Sequence, residues 1–109
     1  MKAESKIVVL ITTATKKEAQ TIGELLLSKK KVACINIVPR VESLFRWQSK
    51  IDSAQESLLI IKSRASLLPE IIEIVKRAHS YEIPEIIALP IISGSEDYLQ
   101  WVDGELEEA

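Results

Sequence analysis

The chain of 109 residues holds one Cys and one His, so any soft-ligand or imidazole chemistry must pass through Cys34 or His79. A thiolate at Cys34 suits copper or zinc, although a free Cys in an aliphatic strand also packs as a small hydrophobe. Asn36 lies two residues on and shares the strand face of Cys34. A buried Asn left unbonded costs about 1–3 kcal/mol, so this face is expected to be polar, wet or part of an interface. His79 falls at the expected end of a helix, where the dipole favours an imidazolium. Tyr81, Glu82 and Glu85 follow it in a loop, the kind of segment on which function tends to sit. One Cys, one His and one Glu make a chelate only where folding brings them together. Phe45 and Trp47 share a strand face and could form an aromatic platform, while Trp47 and Trp101 also suit the anchoring of an interface or a core. Arg40 and Arg46 could bind an anion, and with Trp47 and Tyr81 they would form an anion cleft.

What is missing narrows the reading. Thr12-Thr13-Ala14-Thr15 is not a Gly-rich phosphate loop. A Ser-His-acid triad could involve only His79, and no nucleophile elbow is present; the chain is read as non-enzymatic. One Cys and one His exclude a disulfide scaffold and a structural zinc finger. A pI of about 5.5 argues against a nucleic-acid module. No apolar run approaches the roughly 18–20 residues of a membrane span. Met1 to Lys6 lead straight into a short apolar run with no signal-peptide core, and a reduced cytoplasmic setting is the default.

The elements that must position these residues follow from apolar periodicity. Ile7 to Ile11 is a continuous apolar run and predicts a strand buried on both faces. Thr15 and Glu18 fit a capping box opening a helix with Ala19, Ile22, Leu25 and Leu26 inward, ending at a solvated Lys29-Lys30-Lys31. Val32 to Val38 is a second strand, Pro39 should mark a bulge or an edge, and Val41 to Trp47 continues extended. A tight turn at Gln48-Ser49 returns the chain through Ile51 to Ile61, in a hairpin long enough to reach past its own sheet. A second helix starts near Ser66 with Pro69 in its first turn, a fourth strand covers Ile86 to Leu89, and a last helix opens at Ser95. The order βαββαβ with a terminal helix predicts a single α+β domain, a ferredoxin-like sandwich with two helices on one sheet face.

Hydrophobic residues make up 47% of the chain but aromatics only 5%, and the mean hydropathy of +0.12 is high for a small domain. In a two-layer sandwich the second sheet face is open and should alternate apolar with polar, yet three strands are apolar on both sides. A contiguous aliphatic face of that size marks an interaction surface, so an obligate homo-oligomer is expected.

Four separated segments resemble the CutA divalent-cation tolerance family: Val32-Ala33-Cys34-Ile35-Asn36-Ile37, Phe45-Arg46-Trp47 with Ile51, Glu56 and Leu58 to Lys62, His79 to Ile87, and Tyr98-Leu99-Gln100-Trp101. The resemblance spans essentially the whole chain. It implies a homotrimer assembled through sheets and long hairpins, similar to the PII signalling proteins, and a role in tolerance of copper and other divalent metals. It also implies metal ligands at Cys34, His79 and Glu82, and a cleft between subunits drawing on Asn36, Arg46, Trp47, Tyr81, Glu85 and Trp101. Starting almost at its first strand, the chain resembles the compact cytoplasmic form rather than the membrane-associated branch. Two positions depart from the pattern. Ser49 stands where the turn usually has Gly, which should alter the turn type, and Ser80 stands where the loop usually has Pro, which should loosen the loop that holds His79. Rival readings are a PII-like sensor of a small anionic ligand and a structural adaptor trimer.

Overall fold

In a computed structural model, residues 5–108 are described; residues 1–4, on which the reading of the N-terminal segment rests, and residue 109 lie outside them. The elements run β1 (Lys6–Thr13), α1 (Lys16–Ser28), β2 (Cys34–Trp47), β3 (Lys50–Arg64), α2 (Leu68–Ala78), β4 (Ile86–Pro90) and α3 (Glu96–Glu105). The four strands form one antiparallel sheet in the order β2-β3-β1-β4. This is the ferredoxin-like α+β sandwich that the element order implies.

Strand period sorts the sheet into two faces. Ile7, Val9 and Ile11 of β1, with Leu59 and Ile61 of β3, are fully or nearly fully buried. Onto them pack Ala19, Ile22 and Leu26 of α1 and Ile71 and Val75 of α2, at the spacing of an amphipathic stripe. Gly23 lies in the same stripe because a Cβ there would stand 3.0 Å from Ile35 Cδ1. Thr15 caps α1, its hydroxyl accepting from Glu18 N at 3.1 Å. Helix α1 ends one residue before the lysine run, which is not simply solvated. Lys30 turns the chain at φ 57°, and Lys31 Nζ pairs with Glu70 at 3.0 Å and with Glu107.

The second face is covered only in part. Lys6 pairs with Asp103 at 2.9 Å, and Tyr98 meets Cys34, so α3 lies over the β1 start of this face. Val8, Leu10, Leu58 and Ile60 beyond it are half-buried, and Ile87 and Leu89 are each 50% exposed. The apolar second face therefore stands open toward β4, as the strand composition implies.

The hairpin leaves the sheet where β1 ends. Thr13 pairs with Ser57, so residues 50–56 have only β2 for a partner, and the molecule extends 49 × 26 × 22 Å. Between Val38 and Val41 the register shifts: three steps along β2 match two along β3, from Leu58 to Glu56. Pro39 sits in this bulge as expected, and its carbonyl accepts from Ser57 Oγ at 2.7 Å. The turn keeps its geometry in spite of Ser49. Gln48 (φ 49°) and Ser49 (φ 65°) are both left-handed, as a two-residue type I′ turn requires. The departure from Gly thus changes the energy of the turn and not its type. Ser49→Gly is expected to raise stability by about 1 kcal/mol, read as a higher urea midpoint with an unchanged slope.

Candidate functional site

The site forms where the hairpin leaves the sheet. Four elements meet there: the end of β1, the N-terminus of α1, the base of the β2-β3 ribbon, and the loop 79–85. His79 follows α2 in extended conformation, which turns its ring back toward β1. Its Nε2 lies 2.7 Å from Thr12 O, and its Nδ1 is reached by Tyr81 N at 3.0 Å. A carbonyl can only accept and a backbone N–H only donate, so the ring is the neutral tautomer with its proton on Nε2. The ring is fully buried and stacks obliquely on Tyr81, centroids 4.9 Å apart.

Tyr81 carries the network on to the ribbon. Its hydroxyl donates to Glu56 Oε2 at 2.8 Å. Burial first, then the Glu56 carboxylate, pushes the Tyr81 phenol up to about 12. Glu18 closes the other side. Its carboxylate accepts from Ala14 N at 3.0 Å, one residue earlier than a capping box would place it, and from Ser80 N at 2.7 Å. Burial alone would raise the Glu18 pKa. The Ser80 and Ala14 hydrogen bonds outweigh it, so the carboxyl ionises below its ordinary range. Ser80 therefore does not loosen the loop. Its N–H, which proline would lack, ties the loop to α1.

The bulge decides what else faces this corner. Beyond it Val41, Ser43, Phe45 and Trp47 share a ribbon face with Glu56, Ala54, Asp52 and Lys50. Phe45, Trp47, Asp52, Glu56 and Tyr81, with Glu82, Ile83 and Glu85 from the loop, line a cleft of about 790 Å³. The expected aromatic platform of Phe45 and Trp47 is present, and Tyr81, Glu82 and Glu85 join it. Arg46 projects from the opposite ribbon face. The cationic set of an anion cleft is therefore not assembled within one chain.

Three further expected residues lie elsewhere. Cys34 pairs in register with Lys62, which pairs with Val8, whereas His79 meets β1 at Thr12. Four residues of strand separate the two levels, about 13 Å. Among the described residues no group of three Cys, His, Asp or Glu side chains is placed to hold a metal. Cys34, His79 and Glu82 of one chain therefore do not fit a shared ion, and both ring nitrogens of His79 are already engaged. Asn36 is exposed rather than buried, and its Oδ1 accepts from Lys62 Nζ. Trp101 packs on Tyr98, ring centroids 5.7 Å apart, and is 46% exposed on α3. Glu18 and Glu56 are the functional side chains that sequence reading missed. Both bond to residues more than twenty positions away, and only the second carboxylate oxygen of Glu18 betrays a role beyond capping.

A ferredoxin-like sandwich with an overlong hairpin and a His-Tyr-Glu corner at its base defines a class of small sheet-and-hairpin proteins, and comparison with known proteins places this chain among them. The family profile described as CutA1 divalent ion tolerance protein matches residues 7–105. The chain is 43% identical over 95 residues to the divalent-cation tolerance protein CutA of Thermus thermophilus, covering 87% of this chain and 92% of that one. It is 43% identical over 101 residues to the chloroplastic CutA of Arabidopsis thaliana, covering 93% of this chain and spanning only 56% of that protein. The crystal structure of CutA1 from Oryza sativa superposes with a TM-score of 0.94 at 42% identity, covering 97% of each chain. The chain belongs to the CutA1 divalent ion tolerance family.

Two outcomes check the corner. Because the folded pKa of Glu18 is depressed, its contribution to stability is present above the ordinary carboxylate pKa and lost as pH falls through the lower folded value. Ser80→Pro removes one of its donors, so the Glu18 pKa should rise in a carboxylate NMR titration and the acid-side stability slope should shrink. At the alkaline end, the Tyr81 phenol titrates near 12 instead of 10, so its contribution is complete below pH 10 and lost as pH rises toward 12. In Tyr81→Phe the phenolate absorbance step near pH 12 should disappear.

Proposed function

We propose that the chain works as a non-catalytic homotrimer in divalent-cation tolerance, with copper as the metal it answers to. The observation that carries the assembly is the open sheet face, where Ile87 and Leu89 stay half exposed beside Leu10 and Ile60. An aliphatic surface of this kind is stable in water when another copy covers it, and a closed cyclic ring covers it on every subunit. The hairpin that outruns β1 supplies the reach to a neighbour.

Support for the metal role comes from relatives named for divalent-cation tolerance and from the free thiol of Cys34, a soft ligand for copper. Since Cys34, His79 and Glu82 do not converge within one chain, direct binding by these residues bridges subunits. Cys34 and the exposed Glu82 supply donors as they stand; His79 joins once the Tyr81 N–H leaves Nδ1. A single free Cys suits a reducing compartment, which favours the cytoplasm for this chain, while plant relatives are named chloroplastic. No helix among the described residues is long and apolar enough to cross a membrane.

Light scattering of the purified protein at micromolar concentration should give three times the mass of the chain. Leu89→Glu with Ile87→Glu should shift it to smaller species, and a stable wild-type monomer would overturn the assembly. In the trimer, Cys34→Ser should weaken Cu(I) binding at least about tenfold in a competition titration against a chromogenic chelator. Equal affinity in the variant would remove Cys34 from the site.

A further inference from the structure

Residues 50–56 have β2 as their only strand partner, and a two-stranded hairpin is at best marginally stable in water by itself. This ribbon carries large apolar side chains on both faces. Phe45 and Trp47 stand on its front, the face continuous with the open side of the sheet. Leu44, 70% exposed, and Ile51, 75% exposed, stand on its back. Phe45 and Trp47 are exposed as well, so neither face is covered within one chain.

The two faces also differ in charge. Arg46 is level with Ile51 on the back, whereas Asp52 is level with Phe45 and Lys50 with Trp47 on the front. Among the described residues Arg46 has no hydrogen-bond or ion-pair partner. Asp52 Oδ1 accepts from Ser53 N at 2.8 Å, and its second oxygen has no partner among them. One face offers a guanidinium among aliphatic side chains, and the other offers a carboxylate beside aromatic rings.

We infer that the ribbons of the assembled protein pack front to back around the symmetry axis, Arg46 of each copy meeting Asp52, Phe45 and Trp47 of the next. This rests on the homotrimer proposed above and adds to it the surfaces that meet. A front-to-back contact is heterologous, and rotation closes it into a ring that covers both faces of every ribbon. Front-to-front packing is two-fold and leaves each back bare. Rotation preserves height along its axis, so ribbons standing beside the axis bring residues of equal level together. Arg46 then lies one residue step, about 3.4 Å, from the level of Asp52. Its planar guanidinium can bond a carboxylate and lie on an aromatic face, while Leu44 and Ile51 cover Phe45 and Trp47. Lys50 lies one step away on the other side and opposes Arg46.

Light scattering of the purified chain over a dilution series reads this contact. Arg46→Glu should raise the concentration at which the assembly dissociates at least about tenfold. Combining it with Asp52→Arg should return that concentration to within about threefold of the wild type. Lys50→Glu changes the net charge as much as Arg46→Glu does, yet it should lower the dissociation concentration. A trimer that Arg46→Glu leaves as tight, or that the exchange with Asp52→Arg does not restore, would overturn the front-to-back contact and leave the homotrimer standing. A wild-type chain that stays monomeric would overturn both.

Discussion

A strand alternates its side chains with a period of two, so a single added residue reverses the facing of everything beyond it. In β2 that residue is supplied at Pro39-Arg40, where the pairing steps from Val38 with Leu58 to Val41 with Glu56. Before the bulge, Ile35 and Ile37 point to the helices; after it, Phe45 and Trp47 share the face of Cys34 and Asn36. Pairing without the bulge would put Arg46 over the cleft and turn the aromatic rings away. The aromatic wall of the cleft depends on this irregularity, while Glu56 keeps the facing that β3 takes from its pairing with β1. Proline fits it because it has no N–H to donate to a ladder, and Ser57 holds its carbonyl in place.

The corner around His79 is a closed set of hydrogen bonds in which each group has one role left to it. Thr12 O is an acceptor, so Nε2 must donate; Tyr81 N is a donor, so Nδ1 must accept. With both nitrogens committed, the imidazole ties α2 to β1 and orients the loop that carries Tyr81, Glu82 and Glu85. Glu18 does the same from α1, through a bond that exists only because residue 80 is not proline. The substitution that from sequence alone should free the loop instead secures it. Proline restricts a backbone through its ring, whereas Ser80 restricts it through an N–H bonded to the half-buried Glu18 carboxylate.

Half-exposed Ile87 and Leu89 and the ribbon beyond Ser57 give the second sheet face and the hairpin one shared property. Each is built to a length or polarity that one chain does not use by itself. That is the physical ground for reading the molecule as a subunit, and for looking between subunits when Cys34 and His79 lie too far apart to share an ion.

Local rules were sufficient for much of this. Apolar period set the strands and helices, Thr15 and Ser95 capped α1 and α3 as their positions imply, and Pro39 announced the bulge. The aliphatic strands indicated a second apolar sheet face, and Ile87 and Leu89 stand half exposed on it. These features were legible because each depends on neighbours within a few residues or on a period that the sequence displays. The site was not legible in the same way. Glu56 and Tyr81 are 25 residues apart, Glu18 and Ser80 are 62 apart, and His79 and Thr12 are 67 apart. Such pairings depend on register and crossover. Only the folded sheet decided that Glu18 would be more than a cap, that Arg46 and Trp47 would face opposite ways, and that Cys34 and His79 would stay apart.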